Sequence, residues 1–163
     1  MKKFVFSLLM ISALLWTFPI ASGHAGEEYM ADTALEPADF RGIKWQQRLD
    51  SLTGMEELYR DDESHQIACY RKGEDMTFGG ARLSSIEYIF VDGKLSNVSV
   101  VVKGENEAKS LLEEASALYG KETVKNADDY YWRFTDVAVM FSKEPGDQSV
   151  LFYQYIGFMR NRR

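Results

Sequence analysis

The sequence holds a single cysteine, Cys69, so no intramolecular disulfide can form and the core alone must hold the fold. Only one histidine, His65, lies within the part that reads as folded. Four residues separate His65 from Cys69, which on a strand leaves them about 13 Å apart and excludes a hydrogen-bonded nucleophile–base pair. Cys69 sits in a strand-like stretch, residues 66–70, and reads as a small buried hydrophobe. Gly42, Gly54, Gly73, Gly79 and Gly80 do not form a phosphate-binding pattern. Asp61-Asp62-Glu63 lacks the spaced ligands and glycine of a calcium loop. Basic residues are in deficit, 19 against 25 acids. That argues against nucleic-acid binding, which leans on neutralising phosphates; the charge serves solubility. After the first twenty residues no stretch is long and apolar enough to span a bilayer.

That first stretch is the strongest signal present. Lys2 and Lys3 precede an uncharged apolar run over residues 4–20, and Ala21-Ser22-Gly23 follows. A positive start, an apolar run and small residues at the end form a secretory signal peptide. Cleavage is expected after Gly23, with Ala25 as the alternative. An uncleaved anchor is the competing reading, but the run is short of a full span and contains Pro19. No cysteine follows it to take a lipid. The short Lys-Lys start is similar to bacterial signals, so the expected location is the periplasm or the outside. The expected organisation is a signal peptide (1–23), a flexible polar segment (24–39), one α+β domain (40–158) and a basic tail (159–163). Loss of Lys2 and Lys3 makes the mature chain more acidic still. The tail, Arg160-Asn161-Arg162-Arg163, reads as a solvated end or as a docking tag for an acidic partner or anionic lipid.

Within the domain, residues 46–52 suggest a short helical turn. Residues 55–60 and 66–71 suggest two strands around the turn cluster 61–64, and residues 72–80 read as a loop. Asp92-Gly93 joins two β-rich runs, 84–91 and 94–103, as a type I′ hairpin. An uninterrupted register pairs Val91 with Lys94, Phe90 with Leu95, Tyr88 with Asn97 and Ile86 with Ser99. One face then carries Ile86, Tyr88, Phe90, Leu95 and Val101 with Ser84, Asn97 and Ser99. The other carries Leu83, Ile89, Val91, Val98, Val100 and Val102 with Glu87. The aliphatic face is expected under the helix, the aromatic one half-exposed or facing a ligand. Ala108, Leu111, Leu112, Ala115, Leu118 and Tyr119 form one helical stripe, with Asn106 as a cap and Gly120 ending it. A polar link (121–128) precedes strands at 130–135, 137–142 and 149–156. The expected fold is α+β, an antiparallel sheet of about five to seven strands with one long amphipathic helix packed on one face. The strand–helix–strand order fits an internal duplication, although no residue repeat supports one.

Several phrases occur together: residues 40–45 (Phe-Arg-Gly-Ile-Lys-Trp), 86–95 around Asp92-Gly93, Leu118-Tyr119-Gly120-Lys121 and Tyr130-Tyr131-Trp132. In this the chain resembles a loose group of small exported bacterial proteins of unknown function, over roughly residues 40–156. The resemblance implies an exported α+β domain and carries no catalytic residues to transfer.

Adjacent acids are frequent: Glu56/Glu57, Asp61/Asp62/Glu63, Glu74/Asp75, Glu113/Glu114 and Asp128/Asp129. Acid–base work needs two carboxyls converging in one pocket. Neighbours on a strand point to opposite faces, and those in turns are expected to be solvated. Glu87, among aliphatic neighbours, needs a partner or a shifted pKa. Aromatic residues in the expected strands are mostly core. Tyr88, Asn97, Tyr131 and Arg133 are the candidate ligand-binding patch. No catalytic residue, metal site or cofactor is expected. The leading expectation is an exported non-catalytic binding or accessory module, using a sheet face or edge to engage an envelope protein or small ligand. The alternatives are a small periplasmic hydrolase whose acids converge in the fold, and a homodimeric interaction protein.

Overall fold

The computed structural model describes residues 30–126 and 129–157. The expected signal peptide and basic tail lie outside the described residues. Strands β1 (Asp39–Phe40) and β2 (Ile43–Lys44) form a small hairpin. Then come β3 (Met55–Asp61), β4 (Gln66–Arg71), a second small hairpin of β5 (Thr77–Phe78) and β6 (Ala81–Arg82), β7 (Ser85–Val91) and β8 (Lys94–Lys103). Helix α1 (Glu105–Tyr119) follows, then β9 (Val124–Asn126), β10 (Asp129–Arg133), β11 (Val137–Glu144) and β12 (Gln148–Tyr155). The fold is α+β. Its main sheet is antiparallel, with eight strands in the order β3-β4-β7-β8-β12-β11-β10-β9. The expected five to seven strands fell short because β9 lies in the stretch that reads as a polar link. A strand of three residues shows no periodicity. The helix has 15 residues, of ordinary rather than unusual length.

The β7–β8 hairpin turns where the sequence says. Asp92 and Gly93 have φ of 50° and 72°, as a type I′ turn demands. Val91 pairs with Lys94 and Phe90 with Leu95. The register then slips, because Ile89 pairs with Asn97 and leaves Ser96 as an extra residue. This β-bulge moves every later residue of β8 to the opposite face. Tyr88 therefore stands opposite Val98 and Ile86 opposite Val100, not opposite Asn97 and Ser99. The expected assignment of faces is corrected accordingly. Ile86, Tyr88, Phe90, Leu95, Val98, Val100 and Val102 share the inner, buried face. Neighbouring strands continue it: Cys69, Tyr88, Val98, Tyr153, Val139 and Trp132 stand in one row, and Ile86, Val100, Leu151, Phe141 and Tyr130 in the next.

Helix α1 packs on this face through Ala108, Leu111, Ala115 and Tyr119. Its N-cap is Gly104, with φ of 93°, rather than Asn106. Glu107 near its start accepts the backbone N–H of Arg82 at 2.6 Å, tying β6 to the helix. At the other end the Tyr119 and Tyr153 hydroxyls share a buried hydrogen bond of 2.9 Å. The Tyr119 ring also meets Trp132 and Phe134 edge-on.

The N-terminal residues 31–52 cross the same face as a strap. Ala31 N–H donates to the Arg133 carbonyl at 2.8 Å. One Glu36 carboxylate oxygen accepts the N–H groups of Asp136 and Val137 at 2.6 and 3.0 Å, covering the β10–β11 turn. Phe40 packs its ring against Tyr88 and Tyr153. Gln46 N–H donates to the Leu95 carbonyl and Leu49 N–H to that of Gly93, both at 2.9 Å. The strap thus runs from the β10–β11 turn to the β7–β8 turn.

Glu74 anchors it. The Glu74/Asp75 pair reads as solvated in the sequence, yet the Glu74 side chain is only 6% exposed. Arg71 donates to it from Nε (2.7 Å) and Nη2 (2.6 Å), Arg41 from Nη1 (3.1 Å) and the Tyr88 hydroxyl at 2.8 Å. Burial pushes the Glu74 carboxyl up, but the donated hydrogen bonds of Arg71, Tyr88 and Arg41 outweigh it and hold the carboxyl below the usual range. A carboxyl with a depressed folded pKa stabilises the fold above its unfolded pKa, and that stability is lost as pH falls through the folded value. Glu74→Gln leaves two arginines facing an uncharged group, so urea unfolding at neutral pH should show a loss of about 3 kcal/mol. The variant should also lack the part of the acid destabilisation, below the ordinary carboxylate range, that the parent owes to Glu74. An unchanged midpoint would refute the anchor role.

Candidate binding face

One helix, the strap and both short hairpins make their described contacts on the inner face or at strand ends. The outer face of the sheet is left to side chains of opposite parity. Strand register arranges them in rows. The first runs Ala68, Ile89, Asn97, Gln154, Ala138, Arg133. The second runs Glu87, Ser99, Phe152, Met140, Tyr131, and the third Ser85, Val101, Val150, Ser142. Lys103, Gln148 and Glu144 close the far rim. Ile89, Val101, Met140, Phe152, Val150 and Tyr131 are all half-buried, shielded by one another rather than by a covering layer.

Three members of the candidate patch land here. Asn97 and Arg133 share the first row, and Tyr131 stands beside Arg133's row. Tyr88 does not join them. It is fully buried on the inner face, bonded to Glu74, with the Arg71 guanidinium 5.8 Å from its ring centre. Burial, and then the carboxylate of Glu74, push its phenol well up. The misplacement traces to Ser96: without the bulge, Asn97 and Tyr88 would share a face. At the centre of the outer face stand Phe152, a strand aromatic that reads as core in the sequence, and Met140. Their strand-mates Leu151 and Phe141 look just as apolar, so parity alone could not choose between the faces.

Glu87 was placed under the helix by the sequence reading. The structure puts it on the outer face, opposite Ser99 and next to Ile89 across the row. Among the described residues its carboxylate makes no hydrogen bond or ion pair. Burial among apolar neighbours pushes the Glu87 carboxyl above the usual range.

A recess lies at the other end of β4. It encloses about 230 Å³ between Arg60, Asp61, Asp62, His65, Gln66, Ile67, Asp92 and Gly93. His65 Nδ1 lies 3.8 Å from Asp92 Oδ1, with both side chains more than 70% exposed. The Asp61 carboxylate is taken up by the Ser64 hydroxyl (2.6 Å) and the N–H groups of Glu63 and Ser64, and the Ser64 hydroxyl bond holds it below the usual range. These acids lie in solvated turns. Cys69 is buried on the inner face and burial pushes its thiol up, so it is no nucleophile.

Strand β3 forms one edge of the sheet. It exposes Leu58 and Tyr59, but a bulge between Glu57 and Tyr59 and the charges of Glu56, Glu57 and Arg60 blunt it against strand addition.

An acid with a raised folded pKa lowers stability once it ionises, so the penalty is absent at low pH and grows as pH rises through the folded value. Glu87→Gln should raise the thermal midpoint at neutral pH and leave it unchanged below the ordinary carboxylate range. A gain that persists in acid would show that Glu87's charge is not what the face strains against.

Compared with known proteins, the chain matches no family model, no curated protein and no solved structure.

Proposed function

We propose that the protein is an exported, non-catalytic binding module that engages a protein partner through the outer sheet face. The observation that carries this reading is the outer face of β7, β8, β12, β11 and β10, where Ile89, Val101, Val150, Phe152, Met140 and Tyr131 lie half-buried with no described element over them and Glu87 sits at the β7 margin. An apolar patch of this extent on an otherwise acidic chain is a feature of interaction surfaces. The Lys2-Lys3 start, the apolar run and Ala21-Ser22-Gly23 support export to the periplasm or beyond.

The recess around His65 favours a second reading, a small periplasmic hydrolase. It offers several carboxyls, but they lie in exposed turns and Asp61 is taken up by Ser64 and Glu63, whereas acid–base work requires two carboxyls converging in one pocket. The docking reading is the stronger.

A photo-crosslinking residue placed at Met140 or Phe152 in the native cell envelope should give protein adducts. The same residue at Glu113, exposed on α1, should give none. Equal labelling from all three positions, or none from 140 and 152, would overturn the reading.

A further inference from the structure

We infer that the occupant of the outer face is a second copy of this chain, packed about a two-fold axis that runs along β12. The inference rests on the docking reading and names its partner. The five strands of the face run β7-β8-β12-β11-β10, so β12 is the middle one. An axis along β12 lays β11 of the second copy over β8, and its β10 over β7, with the rows in step. Face-to-face sheets keep their strand directions within about 30°, so rows near the axis stay opposed.

Three features match under that operation. Size matches first. Ser99 faces Met140 of the second copy, Val101 faces Ser142, and Asn97 faces Ala138, so small meets large at each β8–β11 position. Phe152 and Val150, on the axis, meet their own counterparts. Charge matches next: at the rim Lys103 faces Glu144 of the second copy, twice by symmetry. Lastly, Glu87 faces Tyr131 of the second copy, whose phenol can donate, with Arg133 two residues further along the same strand in the row of Ile89. The carboxylate that lacks a partner among the described residues gains one across the axis.

The extent is sufficient. Five strands at about 4.8 Å and four rows at about 6.8 Å cover on the order of 600 Å² per copy. That is about 1,200 Å² for the pair, the lower end of specific protein–protein interfaces.

Sedimentation equilibrium on the purified exported protein tests this, with circular dichroism confirming that each variant is folded. A concentration-dependent dimer is expected. Phe152→Glu should leave only monomer. Lys103→Glu sets like charges together twice and should weaken the dimer by about tenfold or more. Adding Glu144→Lys to it should restore the parent affinity, a rescue that only this register gives. A parent that stays monomeric at 100 µM (about a hundred times the protein level of a micromolar dimer) overturns the inference. So does a dimer that ignores Phe152→Glu, or one that the double swap fails to restore. If the parent is monomeric while position 152 crosslinks to a different protein, the docking reading stands without this inference; if it is monomeric and nothing crosslinks, both fall.

Discussion

A buried carboxylate surrounded by two guanidiniums and a phenol holds three separate parts of this chain in one place. Glu74 comes from the loop after β4, Arg71 from β4, Tyr88 from β7 and Arg41 from the β1–β2 turn. Arg41 adopts φ of 51°, a left-handed backbone that aims its side chain at the loop. Its Nη1 also donates to the Asp75 carbonyl, and its Nη2 to the Thr77 carbonyl. The Arg71 guanidinium in turn reaches the Arg41 carbonyl at 3.3 Å. Charges of this kind cost much to desolvate, and geometry decides whether they repay it. Here each Glu74 oxygen accepts at least two donors, so the strap, the loop and the sheet are bound together at a single point.

Phe40 is consequently delivered onto Tyr88 and Tyr153, and Trp45 onto Tyr153. The Trp45 indole N–H finds the Pro37 carbonyl at 2.7 Å, so the ring lies flat on the core without stranding its donor. With the inner face thus filled by strap and helix, the other face of the sheet has no described element left to cover it. A half-buried outer face follows from the chain's economy of helices: among the described residues one helix cannot cover both sides of eight strands.

Local chemistry made much of this legible. Asp92-Gly93 fixed the hairpin turn, the Ala108–Leu111–Ala115–Tyr119 spacing gave the helix, and Gly120 its end. The α+β class followed from having one helix among many strands. What could not be read were the features that depend on distant contacts. Ser96 is an ordinary strand residue until a bulge forms around it, and that bulge decides which side Val98 and Asn97 face. Glu74 looks like a loop acid until Arg41, 33 positions away, arrives beside it. Val124–Asn126 is a strand only because Tyr130 and Tyr131 offer it an edge. Of the candidate patch, Asn97, Tyr131 and Arg133 accordingly share the outer face, whereas Tyr88 lies on the inner one.

The strand order has a consequence for how the molecule assembles. β3-β4-β7-β8 and β12-β11-β10-β9 are two meanders, each built from partners near in sequence, and α1 lies between them in the chain. They meet along one seam, where β8 pairs with β12 from Lys103–Gln148 to Asn97–Gln154. Local pairings close cheaply, whereas pairings across long loops bear the entropy of closure. Each half can therefore gather around its own hairpins, and the β8–β12 seam is what makes them one sheet. The residues at that junction, Val98, Val100, Leu151 and Tyr153, are also among the most deeply buried, so parting the two halves along this one line would open the centre of the core to water.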